Sequence, residues 1–161
     1  DSDLWGDFSH LKKPAWLRSI LSDLKSGSSS VTYLENEEVT LGGLRIWGSP
    51  ITPWFYGERW AFNKQRGADI KEVWDRIPTD TDIVVTHGPA VGRHDYIPSE
   101  GKYVGCEELK NRVEEVKPKL HVCGHIHEGH GESMAGGVIY VNASICDRFY
   151  DPVNKPIVVN L

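Results

Sequence analysis

The chain has 161 residues, 39% of them hydrophobic, with six Trp, six Tyr and four Phe, enough apolar surface to bury one ordinary domain core. Its formal charge of -5 and its lack of a basic stripe exclude strong binding of nucleic acid by general attraction to phosphate, and no apolar run approaches the length of a membrane span. A small anionic substrate stays open, because bound divalent cations would reverse the local field.

Residues 1–13 are polar and unpatterned, and Pro14 suits a first helical turn. Trp16, Leu17, Ile20, Leu21 and Leu24 then form an apolar stripe that predicts a helix, closed by the Ser/Gly loop at 26–30. Short strands are expected over 31–34 and 39–41, and Gly42-Gly43 turns the second back into Leu44-Arg45-Ile46-Trp47 as a hairpin at a sheet edge. Residues 48–62 hold Pro50, Pro53, Trp54, Phe55, Tyr56, Gly57 and Trp60, too punctuated for a regular element and too aromatic for a solvated linker. Those aromatics either pin the loop to the core or wall a pocket on which a nucleobase could stack. Ile70, Val73, Trp74 and Ile77 mark a helix that Pro78 stops.

Ile83-Val84-Val85 and Leu120-His121-Val122-Cys123 are short apolar runs with the pattern of buried strands. Between them Cys106, Leu109, Val113 and Val116 recur at spacings of three, four and three, which predicts an amphipathic helix ended by Pro118. Two more strands are expected over 137–141 and 157–159. Cys106, Cys123 and Cys146 are odd in number and seated in apolar patterns, as reduced thiols of a cytoplasmic protein would be, and no CxxC supports a zinc ribbon. The chain opens at Asp1 rather than Met, which leaves room upstream for the native N-terminus and any targeting signal.

Strand, helix and strand make a right-handed crossover unit, so the two strands run parallel. As neighbours they would bring His87, in Thr86-His87-Gly88-Pro89, and His125, in Gly124-His125-Ile126-His127-Glu128, to the same carboxyl edge, where open α/β sheets gather ligands. Neutral imidazole is the commonest protein ligand for Zn, Mn, Fe and similar ions. In a straight strand His125 and His127 would share a face. In a loop curled at Gly124 they can reach two neighbouring ions, as in two-metal hydrolases. His121 lies mid-strand and reads as a packed, hydrogen-bonded core histidine.

The same residues carry a family resemblance. Thr86-His87-Gly88-Pro89 and Gly124-His125-Ile126-His127-Glu128 resemble the fourth and fifth signature blocks of the calcineurin-like metallophosphoesterases. Trp47-Gly48-Ser49-Pro50, Thr52-Pro53-Trp54-Phe55, Val104-Gly105-Cys106-Glu107-Glu108-Leu109, Pro118-Lys119-Leu120-His121-Val122 and Asn142-Ala143-Ser144 extend the likeness to the animal metallophosphoesterase-domain-containing proteins, from about Pro14 onward. The resemblance implies an α/β fold, part of a two-layer β-sandwich flanked by helices, with a dinuclear centre at the strand ends. It implies His87 and His125 on one metal and His127 on the other, two divalent ions (Mn, Fe, Zn or Co) in the complete enzyme, and hydrolysis of phosphate esters, cyclic nucleotides among them.

The family also opens with an Asp-x-His block, a Gly-Asp block that bridges the metals and a Gly-Asn-His block that carries the catalytic histidine. None is present here, since Gly6-Asp7 and Asp7-Phe8-Ser9-His10 lack the preceding strand and the order those motifs need. Residues 1–161 therefore read as one incomplete domain, the C-terminal half of such an enzyme, inactive alone. His94 and Asp95 could face substrate or orient a ligand, Glu128 and His130 flank the HxH turn where they could hydrogen-bond a ligand, and each could instead be a solvated surface group. Asn142-Ala143-Ser144 fits a glycosylation acceptor, but a turn is the preferred reading. Two classes stay open: part of a hydrolase acting on a small phosphate ester, or a truncated non-catalytic metal-binding or interaction module whose exposed sheet edge allows self-association.

Overall fold

The computed structural model describes residues 31–55 and 60–161, so the helix expected over 16–24, the unpatterned segment 1–13 and the weak motif matches at 6–10 lie outside the described residues. The elements, in chain order, are β1 (Glu37–Leu41), β2 (Leu44–Ser49), β3 (Thr52–Pro53), β4 (Asn63–Lys64), α1 (Ala68–Trp74) and β5 (Ile83–Thr86). They continue with β6 (Tyr96–Ile97), β7 (Lys102–Tyr103), α2 (Glu107–Val116), β8 (Leu120–Cys123), β9 (Gly131–Ala135) and β10 (Val138–Asn142). A mixed sheet of six strands in the order β1-β2-β5-β8-β10-β9 forms the centre. Its four inner strands are parallel and its two edges, β1 and β9, are antiparallel hairpin partners.

The expected crossover unit is present. β5 and β8 pair in parallel with Val84 opposite His121, and α2 joins them. α2 begins where Cys106 is still extended (φ -93°, ψ 121°), carries Glu107 and Glu108 in its first turn where the helix dipole favours them, and ends at Lys117, whose left-handed backbone (φ 53°) precedes Pro118. Leu109 and Val113 of α2, Ile70, Val73 and Trp74 of α1, and Trp47, Val84 and Tyr140 of the sheet form the core. Trp47 and Trp74 meet edge to face at 6.2 Å, and the Trp74 indole N–H donates to Cys106 Sγ at 3.2 Å. Among the described residues the helices cover one face of the sheet. On the other, Val85 is 39% exposed.

Three expectations need correction. Residues 31–34 form no strand, because Asn36 (φ 59°) turns the chain before β1, leaving Leu34 packed over Gly48 so closely that a Cβ there would lie 2.7 Å from the Leu34 Cβ. Residues 157–159 form no strand either. Pro152 and Pro156 remove ladder donors from this tail, which stays irregular throughout. The stretch 48–62 does carry regular structure, since β3 and β4 pair in parallel and tie the ends of the aromatic loop together. Unforeseen were β9, whose Gly-Glu-Ser-Met-Ala sequence has little strand character, and the β6–β7 hairpin.

His121 is 1% exposed and crosses from β8 to β5, where Thr86 Oγ1 lies 2.9 Å from its Nε2. The Thr86 hydroxyl donates to Gly88 O at 2.7 Å, so the imidazole Nε2–H must be the donor to Oγ1. Burial pushes its pKa from the usual 6.5 down to about 4. Between those two values the unfolded chain binds the proton and the folded chain does not, so the stability present above pH 6.5 declines as pH falls toward 4, by on the order of 2–3 kcal/mol. His121→Gln, which keeps a donor for Thr86, should flatten this part of the slope in urea melts at pH 7 and 5. An unchanged slope would show that His121 titrates normally.

Candidate metal centre

The parallel register of β5 and β8 ends both strands at the same edge. The backbone N–H of Gly124 donates to His87 O at 3.0 Å and fastens the two exits to each other. Thr86, held by His121, closes onto Gly88 and fixes the turn that presents His87. On the other strand His125 adopts the left-handed region (φ 69°), a conformation that costs a non-glycine residue about 1 kcal/mol and recurs at functional sites. It swings the ring toward β5. His87 Nε2 and His125 Nδ1 face each other at 3.1 Å, and the rings are 4.8 Å apart.

His127 goes elsewhere. Buried Ile126 anchors the loop between the two histidines, its carbonyl taking hydrogen bonds from Asn142 Nδ2 (2.8 Å) and from the Gly129 N–H (3.0 Å) that closes a 3-10 turn over His127–Gly129. His127 Nδ1 sits 2.7 Å from Asp147 O, and the Tyr150 ring stands edge-on at 5.0 Å. Asn142 is fully buried and its Oδ1 accepts from the Ser144 N–H at 3.0 Å, so Asn142-Ala143-Ser144 is a turn and no side-chain amide is offered for glycosylation in the folded chain.

Electrostatics suit ligation. Burial lowers the pKa of His87. His87 and His125 are both exposed as residues, but the His125 ring is crowded by His87 and by Phe55 at 5.2 Å. Burial, then the neighbouring His87 and His127, push its pKa down to about 4. Both rings therefore stay neutral at physiological pH and keep a lone pair for a cation. The 3.1 Å between their nitrogens also fits two ligands of one ion with bonds of about 2.0–2.1 Å. At His127 the carbonyl of Asp147 can only accept, so the proton sits on Nδ1 and the Nε2 lone pair is left for a cation. Among the described residues no three His, Cys, Asp or Glu side chains converge on one point. The donors present are therefore the facing pair at His87 and His125, with His127 held apart on the carbonyl of Asp147.

A cleft of about 530 Å³ opens beside His125, lined by Trp54, Phe55 and Tyr103 as well as Arg66 and Lys102. Arg66 is fixed by donating to the carbonyls of Gly105 and Val104, each at 2.9 Å. Phe55 also stacks on Trp60 at 5.6 Å. The sequence pointed to the Trp54 and Phe55 loop but carried no sign of Arg66, which reaches the cleft from the loop before α1, or of Tyr103, which reaches it from β7.

His94, Asp95 and Glu128 lie together with His130 around a second cleft of about 280 Å³. His94 Nε2 is 2.8 Å from Ser133 Oγ, and burial lowers its pKa. Asp95 is 1% exposed, with one carboxylate oxygen accepting from the Gly105 N–H at 2.8 Å. It holds the loop before α2 in place. Glu128 borders this cleft and is exposed. None of these three lines the cleft beside His125.

The family model for calcineurin-like phosphoesterases matches residues 8–129. Metallophosphoesterase domain-containing protein 1 of Homo sapiens is 49% identical over 140 residues, covering 86% of this chain and 42% of the relative. A UPF0046 protein of Caenorhabditis elegans is 37% identical over 156 residues, covering 92% of this chain and 39% of the relative. The chain spans less than half the length of these curated relatives. One solved structure superposes with a TM-score of 0.60 at 17% identity, over 80% of this chain and 51% of its own. TT1561 of Thermus thermophilus gives 0.50 at 16%, over 83% and 59%. At such identities the likeness speaks to the fold.

The facing nitrogens generate a binding test. Zn²⁺ or Mn²⁺ should raise the melting temperature at pH 7, equivalent to about 2.7 kcal/mol when the ion is at a hundred times its dissociation constant. His125→Ala should remove most of that shift, read by scanning fluorimetry with and without chelator. An equal shift in the variant would mean that the ion binds elsewhere.

Proposed function

Since the chain belongs to the calcineurin-like phosphoesterase family, whose members generally use divalent metals, we propose that it forms part of a metal-dependent hydrolase of phosphate esters, acting on phosphodiesters of the cyclic-nucleotide kind. The observation that carries this reading is the pair of neutral imidazoles, His87 Nε2 and His125 Nδ1, facing each other at 3.1 Å across the ends of adjacent parallel strands. His87 and His125 would hold one divalent ion and His127 would contribute to a second. Bound ions of this type polarise the phosphoryl group and bring the pKa of a bound water toward about 7.

The chain's own residues supply position and surroundings. Thr86 and His121 set the angle at which His87 leaves the sheet, and Gly124 sets that of His125. Trp54, Phe55 and Tyr103 offer flat apolar walls on which a base could stack, and Arg66 adds a fixed positive charge for an anionic ester. Acid–base work on the leaving oxygen is left to residues outside this set, as the missing Gly-Asn-His block implies.

One observation favours the second reading, a non-catalytic metal-binding or interaction module. No three candidate ligands converge among the described residues, so this stretch alone would hold ions loosely.

The two readings separate on rate. Hydrolysis of a chromogenic phosphodiester and of a cyclic nucleotide should be nearly absent for this chain with Mn²⁺. It should emerge when an upstream segment carrying Asp-x-His, Gly-Asp and Gly-Asn-His is joined to it. His125→Ala in the longer protein should lose about 100-fold or more in kcat/KM. A longer protein without activity, or one indifferent to His125→Ala, would overturn the hydrolase reading.

A further inference from the structure

Behind His127 lies a cluster that the cleft does not use. Asp147 O, 20 residues downstream, accepts from His127 Nδ1 at 2.7 Å. A self-contained turn fixes that carbonyl. Asp147 Oδ1 accepts from the N–H groups of Phe149 (2.8 Å) and Asp151 (3.1 Å), and Asp147 O also accepts from the Tyr150 N–H at 2.9 Å. Tyr150 sits in the left-handed region (φ 67°), which turns its ring edge-on to the His127 imidazole at 5.0 Å. The turn is clamped in its own right, because Asn154 Nδ2 donates to Ser144 O at 3.0 Å and to Cys146 O at 3.3 Å. His130 Nε2 donates to Lys155 O at 3.0 Å, so the histidines at both ends of the 3-10 turn are fastened to this one segment.

We infer that residues 145–155 form a strap that orients His127 for a cation, with Asp147 and Tyr150 as positioning residues. This rests on the reading of His127 as a metal ligand. The physical argument is tautomeric. A neutral imidazole in water distributes its proton over both nitrogens, whereas a carbonyl at 2.7 Å favours the tautomer with the proton on Nδ1 and the lone pair on Nε2. The edge-on Tyr150 ring restrains rotation about the Cβ–Cγ bond, which would carry Nδ1 away from the carbonyl. The strap lies beyond residues 8–129, the stretch the family model matches.

The test uses long-range proton–nitrogen spectra of the full chain without metal, and Zn²⁺ titration calorimetry on the same variants carrying His125→Ala, which removes the contribution of the His87 and His125 pair. His127 should show one tautomer, protonated at Nδ1. Asp147→Ala should shift the population toward Nε2–H and weaken Zn²⁺ binding about 10-fold or more. Asp147→Asn keeps an oxygen that caps the turn and should restore both. Tyr150→Ala should weaken binding while Tyr150→Phe does not. Unaltered tautomers in Asp147→Ala, or an Asp147→Asn as impaired as the alanine variant, would overturn the strap. Should the tautomers shift as expected while Zn²⁺ affinity stays constant, the strap's purpose fails along with the assignment of His127 as a ligand, and the pair at His87 and His125 is untouched by that result.

Discussion

The site depends on the hydrogen-bond ladder between β5 and β8. Because the strands are parallel and in register, their carboxyl ends lie one strand spacing apart, and residues 38 positions distant in sequence become neighbours. The amide of Gly124 closing onto the carbonyl of His87 is the last rung of that arrangement, made after the strands have formally ended. Both imidazoles at this edge inherit their placement from there. The buried His121 and Thr86 pair reinforces the same junction from inside, converting what would be an expensive polar intrusion into the core into a brace for the turn above it.

A second theme is the control of protons by surroundings. Three histidines have their protons set in three different ways. His121 is fully enclosed, His125 is crowded by rings and by two other imidazoles, and His127 has one nitrogen committed to a main-chain oxygen. Carboxylates beside the first two would have worked in the opposite direction by favouring the imidazolium. Asp95, the buried acid of this region, is instead turned to the Gly105 amide.

Much of this is legible in the sequence where local pattern and global fold agree. The three-four-three spacing from Cys106 to Val116 locates α2, Pro118 locates its end, and two apolar runs locate β5 and β8, so the convergence of His87 with His125 follows from the handedness of the crossover. Gly42-Gly43 marks the first hairpin, and Gly136-Gly137 (φ 59° and 86°) carries the same signal before β10, masked because β9 lacks apolar alternation. In the tail, the run Ile157-Val158-Val159 suggests a strand that does not form, since β propensity counts for little when prolines deny the ladder its donors. What no local pattern could disclose is contact between irregular segments. Arg66 meets Phe55 around one cleft, and Asp147 meets His127, through loops whose course is set by hydrogen bonds to particular carbonyls.

The left-handed backbone of His125 carries a consequence of its own. Position 125 is filtered twice, once by φ and once by chemistry, and the two filters pass different sets of residues. Glycine, asparagine and aspartate tolerate the backbone, and β-branched residues do not. Among side chains that accept this conformation readily, histidine brings an imidazole that burial keeps unprotonated. Asparagine at 125 would therefore separate the conformational demand of the turn from the donor it presents, whereas valine would confound the two. Drift at this position during divergence should accordingly run toward small polar residues, with the loop's shape outlasting its imidazole.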